Sequence, residues 1–226
     1  MAPERGEAAR YVAIITDGNG RWARARGLPV GEGHRAGADN LKKRLRDAGE
    51  LGVQELTVYS FSTENWSRPP EEVAALMGMF SERILGETPE LHAEGVRMRF
   101  VGRREGVHPE LLEQMRWAED TTSANDRITL FVAFNYGGRA EIVDAARTFT
   151  GETEDDFRRL LYAPDMNDPD LLIRTSGEQR ISNYLLWQLA YAEFVFRDEL
   201  WPDFSREAFE ASLEEYAARQ RRFGAR

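Results

Sequence analysis

The sequence predicts an α/β domain around a central, mostly parallel sheet flanked by helices, and three observations predict it. Short β-type runs alternate with segments of helical period along the whole chain. Residues 128–134 form a near-continuous apolar run, the pattern of a strand buried on both faces of a parallel sheet. With 226 residues, 42% hydrophobic and 31% charged, the chain is long enough for one large domain with a full core.

The elements follow in order. Residues 12–15, Val-Ala-Ile-Ile, read as a strand. Residues 37–51 read as a helix with Leu41, Leu45 and Ala48 on one face. Residues 55–61 are β-rich. Residues 70–94 form a long helix entered through Pro69-Pro70, with Val73, Leu76, Met77 and Phe80 in helical period and Pro89 expected to bend or interrupt it. Residues 96–101 alternate as a strand, 109–124 return to helix, and 128–134 form the buried strand. Residues 141–149 and 154–161 are helical, 170–174 a short strand, and 206–219 a closing helix. No repeat or linker divides the chain, so residues 1–10 are expected as a flexible N-terminus and 11–226 as one domain.

Composition removes several functions. Without cysteine there is no disulfide, thiolate metal site or cysteine nucleophile. His34, His92 and His108 lack ligand spacing, which argues against zinc. A net charge of −9 argues against a nucleic-acid partner held by a broadly basic surface. Residues 1–10 lack the apolar core of a secretory signal, and no window reaches the ~20 apolar residues of a membrane span. A cytoplasmic protein with at most peripheral membrane contact is expected. Locally the balance reverses: residues 21–46 hold eight Arg or Lys against Glu32 and Asp39. That suits a small polyanion, although Lys42, Lys43, Arg44 and Arg46 read first as a solvated helix face.

Ligands of open α/β sheets bind beyond the carboxyl ends of the strands. Here the first strand ends in Asp17-Gly18-Asn19-Gly20-Arg21-Trp22, and the second in Ser62-Thr63-Glu64-Asn65-Trp66-Ser67-Arg68. The apolar strand ends in Asn135-Tyr136-Gly137-Gly138-Arg139. The short strand ends in a run from Arg174 to Asn183 that contains Arg180, Ile181 and Ser182. Asp17 suits a magnesium carboxylate, since that ion keeps one or two acids and completes its shell with water and phosphate; an N-cap role is the alternative. Arg21, Arg174 and Arg180 suit bidentate phosphate binding, with Ser182 adding a hydroxyl. Ser62 and Ser182 have no histidine beside them in sequence, and neither a Walker A nor a complete dinucleotide fingerprint is present. Aromatic residues such as Phe61, Phe80 and Phe134 pack the core, and a subset can line an apolar cavity beside the phosphate site.

These loops, with Gly33-His34 and Trp201-Pro202-Asp203-Phe204, occur in an order and spacing that resemble the cis-prenyltransferase family of the undecaprenyl diphosphate synthase type, from about Tyr11 to Gly224. The resemblance implies a magnesium-dependent homodimer that condenses isopentenyl diphosphate with an allylic prenyl diphosphate and houses the growing chain in an apolar tunnel beside the sheet. It implies Asp17 as the essential carboxylate and metal ligand, and Gly18, Asn19, Gly20 and Arg21 as the allylic diphosphate loop. Trp22 and His34 would complete that pocket, and Ser62, Thr63 and Glu64 would border the allylic substrate. Asn65 would sit where the proton is lost, with Trp66 and Arg68 beside it. Arg174, Arg180, Ile181 and Ser182 would hold isopentenyl diphosphate, and Glu193 would reach a magnesium ion from the partner subunit. Residues 73–91 and 128–134 would wall the tunnel.

Tyr11, Thr16 and Val30 depart from the family pattern. Val30 stands where several members carry a diphosphate-binding arginine, and Arg24, Arg26 and Arg35 are the nearby cations that could replace it. The resemblance also admits a non-catalytic partner subunit, or an enzyme that joins prenyl units irregularly. Retention of Asp17, Asn19, Asn65, Arg174, Arg180 and Ser182 favours the elongating enzyme.

Overall fold

A computed structural model describes residues 8–219. The expected α/β architecture is present. Six strands, β1 (Tyr11–Ile15), β2 (Glu55–Ser62), β3 (Val96–Val101), β4 (Ile128–Tyr136), β5 (Leu171–Arg174) and β6 (Glu193–Phe196), form one sheet in the order β3-β4-β2-β1-β5-β6. Every pairing is parallel.

Alternation along β1 divides the core between the two faces. Val12 and Ile14 face one cluster, which α2 (Val30–Glu50), α3 (Pro70–Ala93), α4 (Pro109–Thr122) and α7 (Arg206–Ala218) cover with Leu45, Leu76, Met115 and Phe209. Ala13 and Ile15 face the other, closed by Met166, Tyr184, Leu185 and Leu189. Two shorter helices, α5 (Gly138–Thr148) and α6 (Glu154–Arg158), follow β4.

Several boundaries differ from expectation for identifiable reasons. Asn19–Ala25 forms a helix, α1, and α2 begins at Val30, two turns before the expected start. Glycines at 31 and 33 read locally as loop, but Gly33, like Gly37 at the expected helix start, is a packing residue. A Cβ on Gly33 would lie 2.1 Å from the Asn19 carbonyl oxygen, and one on Gly37 would lie 2.3 Å from Asn19 Oδ1. Bare backbone at these two positions lets α1 lie directly on α2, a tertiary gain that overrides low helix propensity. Pro89 does not interrupt α3: it lies on the solvent side, where the carbonyl it leaves unbonded belongs to exposed Leu85. Strand β6 was not anticipated, and α6 ends at Arg158 rather than 161. Residues 1–7 of the expected flexible N-terminus lie outside the described residues; Ala9 is buried, and the Arg10 N–H donates to Asp170.

Candidate active site

A cavity of about 510 Å³ opens at the carboxyl ends of β1 and β2 and runs between α2, α3 and the sheet. Its mouth is polar. Residues 17–21 form one lip, with Ser62, Asn65, Arg68, Ser182 and His34 around them. Its depth is apolar: Leu76, Phe80, Ile84 and Leu91 of α3 face Leu130 and Val132 of β4, with Met98 and Phe100 of β3. The two segments expected to wall a tunnel are therefore walls of this cavity.

Asp17 sits at the lip, held from several sides. Its carbonyl accepts from the Thr175 hydroxyl at 2.7 Å and from the Trp201 N–H at 3.0 Å. Its carboxylate accepts from Arg174 at 3.0 Å and lies 3.5 Å from Arg21. Partial burial alone would raise its pKa. The Arg174 hydrogen bond and charge, with Ser176 and Arg21, outweigh burial and hold the carboxyl below the usual aspartate range. Gly18, not Asp17, caps α1. It takes φ = 111°, and a Cβ there would lie 3.0 Å from the Leu200 backbone, so only glycine fits. The capping alternative for Asp17 is thus removed.

Arg174 is buried behind this lip, with its side chain 4% exposed. It donates to Asp17, to the Ser182 hydroxyl at 2.8 Å and to the Arg180 carbonyl, while Nε has no partner. It therefore organises the site from below and ties two strand-end loops together. Arg180 is exposed and paired with Glu178, close to Arg21, which reaches Ser176 and Glu178. Ser182 and Asn183 both take positive φ, 49° and 63°, which turns the loop sharply here. Ile181 packs partly buried against the second core cluster.

After β2, Thr63–Ser67 forms a short 3-10 helix with a capping box: the Ser62 N–H donates to Asn65 Oδ1 at 2.9 Å. That fixes Asn65 at the cavity wall. Trp66 donates to Asn135 at 2.7 Å, and Arg68 pairs with Glu72 at 2.9 Å. Glu64 accepts from Asn183 at 2.8 Å, and Thr63 abuts Gly137, so this loop is clipped to those after β4 and β5. His34 presents Nε2 without a partner. Burial first, then the Arg68 charge, depress its pKa and keep the ring neutral near pH 7.

Of the expected residues that do not line the cavity, Trp22 and Glu193 are engaged elsewhere. The Trp22 indole donates to Asp203 at 2.8 Å and stacks under Arg26 at 4.3 Å. Glu193 begins β6 opposite Leu171, at the far end of the strand from the mouth, and pairs with Arg219 at 2.8 Å. Within one chain Asp17 and Glu193 are not brought together. The solvated-face reading of the basic run holds for Lys43 alone. Arg44 is buried against Asp47 and the Phe204 carbonyl, and Lys42 and Arg46 bridge to Glu90 and Glu94 of α3.

The sequence reading missed Thr175, Ser176 and Asn183 as site-building residues. All three lie within the quoted motifs, but their hydroxyl and amide contacts are to distant loops and leave no local pattern. Asp17, ionised and at the lip, has the chemistry of a hard-cation ligand; no cluster of three or more acidic or histidine ligands occurs among the described residues. A magnesium ion carried partly by substrate phosphates fits this donor set.

Residues 15–224 match a family model described as "Putative undecaprenyl diphosphate synthase". An isoprenyl transferase of Thermotoga maritima is 50% identical over 95% of this chain and 96% of its own length. A trans,polycis-polyprenyl diphosphate synthase of Thermobifida fusca, specific for (2Z,6E)-farnesyl diphosphate, is 50% identical over 95% of this chain and 80% of its own. In three dimensions, lavandulyl diphosphate synthase of Lavandula x intermedia, solved with dimethylallyl diphosphate, superposes with a TM-score of 0.92 at 34% identity, over 96% of this chain and 99% of that one.

Proposed function

The chain belongs to the undecaprenyl diphosphate synthase family of prenyltransferases, and from that premise we propose that it elongates an allylic prenyl diphosphate with isopentenyl diphosphate to give a Z-polyprenyl diphosphate. The observation that carries the reading is one cavity with an Asp17–Arg174–Ser182 mouth and an apolar depth. A diphosphate at the lip and a hydrocarbon below it are the two halves of such a substrate.

The C1–O bond of the allylic diphosphate breaks and its electron pair leaves with the diphosphate. The isopentenyl double bond supplies the electrons of the new C–C bond, and a proton is lost from the carbon beside it. Arg21 and the lip N–H groups hold the departing diphosphate, while Arg180 and Ser182 hold the isopentenyl one. Arg174 supports both by fixing Asp17 and Ser182. Asn65 is an amide and too weak a base to take the proton itself; it orients the neighbouring group, and a released phosphate oxygen accepts the proton. Asp17 would hold a magnesium ion, which when bound would neutralise charge between the two polyanions and favour diphosphate as a leaving group. Burying each five-carbon unit below the mouth contributes roughly 3–4 kcal/mol at ~0.8 kcal/mol per methylene, which draws the product inward.

The reading includes a homodimer, with Glu193 serving a site from the partner subunit, and a cytoplasmic setting where charged diphosphates are dissolved. Among the described residues no helix is long and apolar enough to cross a membrane. Elongation is preferred to the irregular-coupling alternative because relatives 50% identical are named isoprenyl transferase and trans,polycis-polyprenyl diphosphate synthase. Incubation with magnesium, labelled isopentenyl diphosphate and dimethylallyl, geranyl or farnesyl diphosphate tests the reading. Head-to-tail products are expected; no incorporation with any starter overturns it.

A further inference from the structure

Eight basic residues lie between positions 21 and 46, close in sequence to the lip of the cavity. The structure separates them by how each cation is already used. Arg26 is committed to Asp203 at 3.0 Å and to the Trp22 ring. Arg35 faces Glu32 at 3.9 Å and is not part of the cavity wall. Among all eight basic residues from 21 to 46, only Arg24 and Lys43 have side chains without an ion pair or hydrogen bond in the described structure. Lys43 is exposed on α2 and does not line the cavity.

Arg24 does line it. It rises from the last turn of α1 and folds back over the diphosphate loop. A Cβ placed on Gly20 would lie 3.4 Å from Arg24 Nη1, 3.7 Å from Nη2 and 3.7 Å from Val30 Cγ1. The guanidinium therefore lies beside Gly20, next to the Val30 side chain. An unpaired cation in a protein of net charge −9, beside an anion-binding loop and with five N–H donors, is matched to a phosphate.

We propose that Arg24 grips the outer phosphate of the allylic diphosphate and fills from α1 the place that position 30 leaves empty. This rests on the prenyl-elongation reading and assigns a specificity-determining residue within it. Arg24 acts on the allylic starter and not on isopentenyl diphosphate, whose ligands Arg180 and Ser182 lie on the loop after β5.

Steady-state kinetics on Arg24→Gln, with Lys43→Gln as control, tests it. The KM for farnesyl diphosphate should rise about tenfold or more, as for loss of a charge-assisted hydrogen bond. The KM for isopentenyl diphosphate should stay within about twofold, and K43Q should match the parent. Adding Val30→Arg to the R24Q variant should return the farnesyl KM toward the parent value. Equal rises for both substrates, an unchanged farnesyl KM, or no rescue by V30R would overturn the proposal. Calorimetric binding of non-reacting farnesyl thiodiphosphate separates this from the parent reading. If the unmodified protein incorporates no isopentenyl unit, the elongation reading fails, whereas R24Q binding the analogue as tightly as the parent defeats the Arg24 assignment.

Discussion

At the mouth of the cavity several polar groups are joined from loop to loop, whereas deeper in much of the wall is plain hydrocarbon. Asp17, Arg174 and Ser182 are joined across β1 and β5, and Glu64 and Asn183 across β2 and β5. Leu130, Val132, Met98 and Leu91 line the depth from β4, β3 and α3, without a polar function of their own. The difference teaches where the two kinds of specificity reside. Recognition of diphosphate depends on fixed directions and so requires a cross-linked frame. Accommodation of a hydrocarbon depends on volume, which smooth walls set without directional bonds.

The contrast breaks most visibly at Asp17. Asp17→Asn keeps an acceptor for Arg174 but removes the charge, so turnover should fall about 100- to 1000-fold while the melting temperature stays near the parent value. Near-normal turnover would deny the mouth its proposed chemistry. Val132→Phe tests the opposite end. It should leave the KM for the starter unchanged and shorten the final product by at least one five-carbon unit, read by lipid chromatography. Because the added ring enters open space, its stability cost should stay at or below the ~1–3 kcal/mol of overpacking. An unchanged product with a raised starter KM would mean that the two ends are not separable.

Among the tyrosines of the second core cluster, Glu141 is wholly buried and accepts from Tyr136 at 2.5 Å, Gln188 at 3.1 Å and the Tyr162 N–H at 3.0 Å. Burial pushes its pKa up, and these donors offset only part of the rise. The native state therefore binds this proton more tightly than the unfolded chain. Stability contributed by the proton is present below the ordinary value of 4.5 and is lost as pH climbs through the raised native value. Glu141→Gln should flatten that part of the melting-temperature profile; an identical pH slope in both proteins would refute the assignment. The smallest effect is expected at the seam over the far end, where Arg46 binds Glu90 and Glu94 at the surface. Arg46→Ala should cost about 1 kcal/mol or less in urea unfolding, shrinking further in high salt. A larger, salt-insensitive loss would mean that the seam is more than a solvated clasp.

Much of this frame was legible in the residues because it is periodic or local. Strands β1 to β5 follow from apolar runs, and the four strand-end loops announce themselves by glycine, arginine and acid at the points where chain direction must change. Residues 30–36 of α2 were illegible, since their glycines signal loop and only Asn19 pressing on the helix explains Gly33. Strand β6 is four residues long, too short for alternation to separate it from an aromatic loop. Arg44 looked like one more surface cation because its buried partners, Asp47 and the Phe204 carbonyl, include one 160 residues away. Arg24 could be singled out only by elimination among the basic residues from 21 to 46, where Lys43 alone is likewise unpaired and lies off the cavity.

The hydrogen bond from the Trp201 N–H to the Asp17 carbonyl has a consequence for the order in which the molecule comes into being. Asp17 is made well before its partners, for the strand that precedes it pairs with β5 and its loop is pinned by residues 175 and 201. A nascent chain that has exposed its first 150 residues to solvent owns the glycine loop but not the frame that holds it. The carboxylate proposed for catalysis is therefore translated well before the residues that set it in place, and a ribosome stalled before Trp201 would carry a lip without its pins.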